Sequence, residues 1–202
     1  MNVERHPRRP PSPSPVAAAG DTDLELLQRW RDGDQRAGQA LVARHFQALY
    51  RFFANKCAGD ADELVQATLL AAVRARDQFR ADSSFRTYLF TIARHELYHH
   101  LRELKAGRQV DFSITSVAEL VTTPGTQLDR DIAQRKLTAA MRELSVEQQT
   151  LLELYYCEDL EVAELSAIFE APPATIRTWL FRARGVLREK LGHDAFAKAG
   201  ES

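Results

Sequence analysis

Residues 84–102 read SFRTYLFTIARHELYHHLR, and two kinds of chemistry fit them. His95-Glu96-Leu97-Tyr98-His99 matches the H-E-x-x-H pattern. On a helix this spacing puts two imidazoles one turn apart, able to share a zinc ion, beside a glutamate that can act as general base in peptide hydrolysis. The same helix gathers Tyr88, Thr91, Arg94, His95, Tyr98, His99 and Arg102 on one side, at about 100° per residue. Aromatic rings that stack on bases, set among cations that hold phosphates, suit a reader of nucleic acid.

The zinc reading needs a third ligand. Its extended form would place a glycine at position 102 and a histidine at 105, where this chain has Arg102 and Lys105. Glu119 is a conceivable downstream ligand, but it lies in the linker with no supporting helix signature. The residues therefore imply no catalytic metal and no cofactor. A weaker version keeps His95, His99 and His100 as a regulatory metal cluster.

Helical signals run through the chain, and no alternating strand pattern interrupts them. Asp21 or Thr22 can cap a short helix carrying Leu24, Leu27 and Trp30; Gly33 ends it and Asp34 caps the next. Val42, Phe46, Leu49, Tyr50 and Phe53 then form a stripe at helical spacing. A third helix spans about 61–77, with Leu64, Val65, Leu69, Ala72 and Val73. After a short loop, Ser83 or Ser84 caps the helix that holds the H-E-x-x-H match. Its inward side is Phe85, Leu89, Ile92, Ala93, Leu97 and Leu101. Periodicity fades at Gly107 and through the Ser/Thr-rich run ending in Thr122-Thr123-Pro124-Gly125, which reads as a linker. It returns with Leu128, Ile132, Leu137, Ala140, Met141 and Leu144. Ser145-x-x-Gln148 is a capping box opening another helix. Two last helices, Val162–Phe169 and 174–191, meet at Glu170-Ala171-Pro172-Pro173, a joint as tight as that of a helix-turn-helix. The fold class is all-α: two small helical domains, 21–104 and 128–192, joined by a flexible linker at 105–127, between tails at 1–20 and 193–202.

Charge is segregated although the net charge is only −1. Residues 71–108 carry eight basic side chains against four acidic ones, and 171–192 carry five against one. The stretch between is acidic. Two basic patches on a near-neutral chain suggest two contacts with one polyanion. Cys57 and Cys157 make no disulfide framework, so an intracellular, cytoplasmic chain is expected. No apolar run approaches the roughly 20 residues of a membrane span, so no membrane insertion is expected. The proline-rich start lacks the apolar core of a signal peptide and reads as a disordered tail.

Three stretches resemble the extracytoplasmic-function (ECF) sigma factors of bacterial RNA polymerase. Residues 61–74, ADELVQATLLAAVR, resemble the "DLVQETFLRAWR" helix of that family. Residues 84–94, SFRTYLFTIAR, resemble its "SFRTWLYRIAR" entry to the promoter-melting helix. Residues 171–184, APPATIRTWLFRAR, resemble its recognition helix, "VPEGTVKSRLHRAR". The likeness covers about residues 21–192. It implies that the first domain docks on the β′ clamp helices of core RNA polymerase through Asp62, Leu64, Val65, Gln66 and Leu69. It implies that the same domain opens promoter DNA at −10 with Phe79, Arg86, Tyr88, Arg94, His95, Tyr98 and Arg102. Phe79 and His95 would line a base pocket, Tyr88 would support stacking, and the arginines would hold phosphates. The last domain would sit on the β flap and read the −35 element with Thr175, Arg177, Thr178, Phe181, Arg182 and Arg184. An anti-sigma factor is the implied regulator.

The chain departs from the family pattern at several points. Ala67 stands where glutamate is usual, and His95 and His99 stand where asparagine and aspartate are usual. Glu161 replaces a capping serine or threonine, Glu170 and Ala174 replace glycines, and Trp179 replaces an arginine. His95 in particular implies an atypical −10 preference. The alternative of a polymerase-independent helix-turn-helix regulator accounts for the last domain and leaves 61–102 idle.

Overall fold

A computed structural model describes residues 22–79, 83–105, 110–121 and 132–191. The two expected tails, Arg80, Asp82, Gly107, Arg108, residues 122–125 and Leu128 lie outside the described residues. The order is α1 (Asp23–Arg31), α2 (Gln35–Ala54), α3 (Ala61–Ala75), α4 (Phe85–Leu104), α5 (Val117–Leu120), α6 (Ile132–Arg142), α7 (Val146–Tyr156), α8 (Val162–Phe169) and α9 (Pro173–Leu191). Among the described residues there is no strand, only an isolated antiparallel bridge between Ser116 and Ser145. No helix among them is long and apolar enough to cross a membrane.

The helices begin where side chains can satisfy their free N–H groups. Thr22 caps α1 in a box with Glu25, Asp34 accepts from the Arg36 and Ala37 N–H groups, and Ser84 accepts from Thr87. Gly33, at φ 102°, makes the reversal between α1 and α2 that a side chain would strain. Gly38 lets the two helices close up: a Cβ there would lie 2.5 Å from Trp30 Nε1.

The buried faces differ in detail from those expected. On α2 the core side is Leu41, His45, Leu49, Phe52 and Phe53, whereas Phe46 is exposed and its ring stacks on Tyr50 at 6.3 Å. On α1, Leu26 joins Leu27 and Trp30 inside, and Leu24 points out. Leu137 and Val73 are also exposed.

A larger difference concerns the linker. Residues 110–121 are built into the fold. Phe112, Val117 and Leu120 are buried, and Ser116 caps α5 in a box with Glu119. Backbone bonds tie this segment to the start of α7, from Val146 N–H to Thr115 O (3.0 Å) and from Glu147 N–H to Phe112 O (3.0 Å). Three apolar side chains at irregular spacing carry no period, so they read as linker in the sequence, yet they suffice to anchor it. Through them a single apolar cluster runs from Phe53, Leu64 and Leu97 to Leu151, Ile168 and Leu180. The two expected domains are therefore in contact.

The α8–α9 joint explains two departures. Glu161 N–H donates to the Glu164 carboxylate (2.9 Å), so α8 starts without a serine or threonine. Glu170 adopts the left-handed conformation, φ 53° and ψ 38°, at the end of α8. That conformation costs a residue with a Cβ roughly 1–2 kcal/mol and costs glycine almost nothing, although glycine has more freedom to lose on folding. Glu170→Gly should stabilise the protein by about 0.5–1 kcal/mol. Thermal unfolding of the two proteins checks this, and a lower midpoint for the glycine variant would contradict it.

Candidate nucleic-acid interface

Helix α9 presents the row expected of a reading helix. Ile176, Leu180, Ala183 and Leu187 are buried, while Arg177, Thr178, Arg182 and Arg184 are exposed, and Phe181 is 69% exposed. Thr175 is half-buried. Arg184 is held at the edge, its Nε donating to Leu180 O (3.1 Å) and Nη1 lying 3.4 Å from the Tyr156 hydroxyl. Trp179 does not join the reading row. It is half-buried, with its ring edge-on to Phe169 at 6.3 Å, so it packs α9 on α8.

Phe79 and Tyr88 meet at the corner before α4. Phe79 is buried and its ring centroid lies 4.9 Å from that of half-buried Tyr88; Phe85 lies 5.9 Å from the former and 6.1 Å from the latter. Arg31 of α1 fixes this corner by donating to the carbonyls of Arg76 and Phe79, the latter at 2.7 Å. His95 lies two turns further along α4 and is exposed. From Tyr88 to His95 is about 11 Å of helix rise.

Much of the rest of that α4 face, Arg102 and His99 apart, is covered. Arg94 is largely buried: its guanidinium lies 4.7 Å from the Tyr98 ring and 4.8 Å from the Phe169 ring, and Nη1 donates to Ile168 O at 3.2 Å. Tyr98 is buried against Phe112, centroids 4.3 Å apart, and burial pushes its phenol up to about 12. Arg86 Nη2 donates to Glu158 Oε2 at 2.6 Å. Arg102 is exposed with its guanidinium 5.1 Å from the Phe112 ring. Periodicity separates two faces of α4 but does not show that both are covered.

On α3, Leu64 and Val65 are buried in the core and Leu69 is half-buried, so these expected contact residues support the helix from beneath. The exposed side is Asp62, Glu63, Gln66, Leu70 and Val73. Val73 is exposed although apolar residues at helical spacing read as core by default.

The histidines do not assemble a metal site. His95 is exposed, His99 Nδ1 lies 3.4 Å from the Glu103 carboxylate, and His100 is turned to Asp60 at 3.2 Å. Among the described residues no group of three His, Cys, Asp or Glu side chains is placed to hold an ion.

The model of Sigma-70 region 2 matches residues 40–107, and that of Sigma-70 region 4 matches residues 134–187. The ECF RNA polymerase sigma-E factor of Escherichia coli (strain K12) is 26% identical over 180 residues, covering 84% of this chain and 94% of that protein. The chain belongs to the sigma-70 family, in its extracytoplasmic-function branch. The sigma-E factor of Haemophilus influenzae is 25% identical over 188 residues, covering 84% and 95%. Among solved structures, the sigma factor RpoE in complex with the anti-sigma factor NepR from Bartonella quintana is 25% identical with a TM-score of 0.59, covering 77% of this chain and 97% of that one. CnrH in complex with the cytosolic domain of CnrY shares the fold at 24% identity, with a TM-score of 0.61 and coverage of 90% and 100%. As a sigma factor, the protein directs promoter-specific transcription initiation by RNA polymerase. The two matched regions account for both basic segments, so neither the stand-alone regulator nor the zinc protease is favoured.

A charge cluster on α1 and α2 lies beside the Phe79 corner. Asp23 of α1 accepts from Arg44 (2.6 Å) and pairs with His45 (2.7 Å) on α2, and the His45 ring lies 5.7 Å from that of Phe85. Burial works against the Asp23 charge, but His45 and Arg44 outweigh it and hold the carboxyl below its usual 3.8. A lowered folded-state pKa means stability that is complete above 3.8 and is lost as pH falls through the folded value. Asp23→Asn should therefore be less stable than the wild type near neutral pH. The gap should narrow on acidification below 3.8, as read by urea unfolding across pH. A gap that stays constant into acid would contradict this role.

Proposed function

We propose that the two matched regions divide promoter recognition as follows. Helix α9 enters the major groove at −35, where Arg177 and Arg182 fork onto guanine or clamp phosphate and Phe181 meets a thymine methyl. Thr175, Thr178 and Arg184 line the flank of that contact. The corner of Phe79 and Tyr88 receives non-template bases at −10, with His95 further along the strand path. Arg86, Arg94 and Arg102 hold the phosphates, and Tyr98 adds a stacking surface. Unstacking a base costs a few kcal/mol, and aromatic surfaces at this corner recover much of it. The bond-making chemistry remains with the polymerase.

The polymerase contact is assigned to the exposed stripe of α3: Asp62, Gln66, Leu70 and Val73, at successive turns of one side. Leu64, Val65 and Leu69 hold that stripe in place. Region 4 rests on the β flap, and an anti-sigma factor is the partner that restrains the protein in the cytoplasm. The observation that carries the reading is the free row on α9, cationic and aromatic above a fully buried stripe.

Reconstitution with core polymerase and sequencing of transcript starts tests the whole assignment. Promoter-specific starts are expected. Binding of duplex DNA without specific initiation would return the protein to the regulator reading. Arg177→Ala and Arg182→Ala should each weaken −35 recognition by roughly 1–3 kcal/mol, about fivefold to 150-fold, with relaxed preference at one base position. Run-off transcription over a panel of −35 substitutions measures it.

A further inference from the structure

A cleft of about 490 Å³ opens between α2 and three helices of the last domain, domain four: α6, α7 and α9. Protein interiors are close-packed, so a space of this size is unusual. It falls in the range of small-molecule sites, about 300–1,000 Å³. Much of its wall is apolar. Phe52 comes from α2, Leu137 and Met141 from α6, Leu152 from α7 and Leu187 from α9. Phe52, Leu152 and Leu187 are buried, whereas Leu137 is 43% exposed and belongs to the rim.

The charge beside this apolar wall is cationic. Arg51, Arg184 and Arg188 border the cleft, against Glu153 and Glu158. Each carboxylate has a cation from outside the wall. Glu153 pairs with buried Lys56, and Glu158 accepts from Arg86 at 2.6 Å in addition to Arg51 at 3.2 Å. The excess therefore sits on α9, where Arg184 and Arg188 are one turn apart on the same side. Arg184 is fixed there by its bond to Leu180 O (3.1 Å), with the Tyr156 hydroxyl 3.4 Å from Nη1. A guanidinium held in place beside a hydroxyl suits an anionic head group, which it can meet with two parallel N–H bonds.

We propose that this cleft is a binding site for a small amphipathic anion. The apolar body lies against Phe52, Leu137, Met141, Leu152 and Leu187, and a carboxylate or phosphate head is held by Arg184 and Arg188. The occupant touches α2 on one side and α6, α7 and α9 on the other, so binding adds to the stability of the folded chain by mass action. The site stands apart from the exposed face of α3 and from the corner at Phe79.

The test uses the full chain with dodecanoate and dodecyl phosphate, each below the concentration at which it forms micelles. Calorimetric titration should show saturable binding of at least one, and that ligand should raise the unfolding midpoint. The two arms distinguish a carboxylate head from a phosphate head. Dodecanol keeps the chain and lacks the charge; it should bind about tenfold more weakly, as should the ligand to Arg188→Gln or to Leu137→Glu, which sets a like charge at the rim. Cys157 reports the location. It is exposed and borders the cleft, whereas Cys57 is buried. Bound ligand should slow maleimide labelling of Cys157 in the wild type and leave the rate unchanged in Leu137→Glu. No saturable binding of either probe, or binding of dodecanol as tight as theirs, would overturn the proposal. So would binding that leaves Cys157 unprotected, or that both variants retain in full.

Discussion

Helix α4 is buried on two sides at once, and the rest of the structure follows from that constraint. A helix on a domain surface normally buries one stripe and leaves the opposite face to water. Here Phe85, Leu89, Ala93, Leu97 and Leu101 fill the usual stripe, and Thr87, Phe90 and Tyr98 are buried as well. Exposed positions collect at the C-terminal end, at His95, His99 and Arg102 to Leu104. A helix covered on two sides needs two bodies to cover it. One is the α1–α3 bundle, and the other is α7, α8 and the segment before them.

The second cover adds charge pairs to the apolar cluster that runs through it. Lys56 donates to Phe52 O at 3.0 Å and pairs with Glu153, which also accepts from Gln149 Nε2 at 2.8 Å. Taking such charges out of water costs nearly what their attraction returns, so a buried pair adds little net stability. Removing one partner is a different matter, because the other is left buried and uncompensated. The matched charges therefore add specificity to this seam more than strength, while the apolar cluster beside them contributes about 25 cal/mol for each Å² kept from water.

The all-α class and the bounds of most helices were legible in residue spacing and caps. Thr22, Asp34, Ser84 and Ser145 all cap where the sequence places them. The exposed row on α9 was legible too, because its inward stripe is strict. What periodicity could not convey was which of two apolar faces wins. Phe46, Leu70 and Val73 fit a core pattern and lie outside, whereas Leu41, His45 and Phe52 lie inside. The segment at 110–121 was unreadable for another reason: its few anchors are meaningful only against a surface made by distant residues. The same holds for the acidic side of domain four. Glu147, Glu153, Glu158 and Glu164 look like an ordinary solvated face until α4 is set opposite them. The H-E-x-x-H match shows the converse, a local pattern to which the fold adds no third ligand.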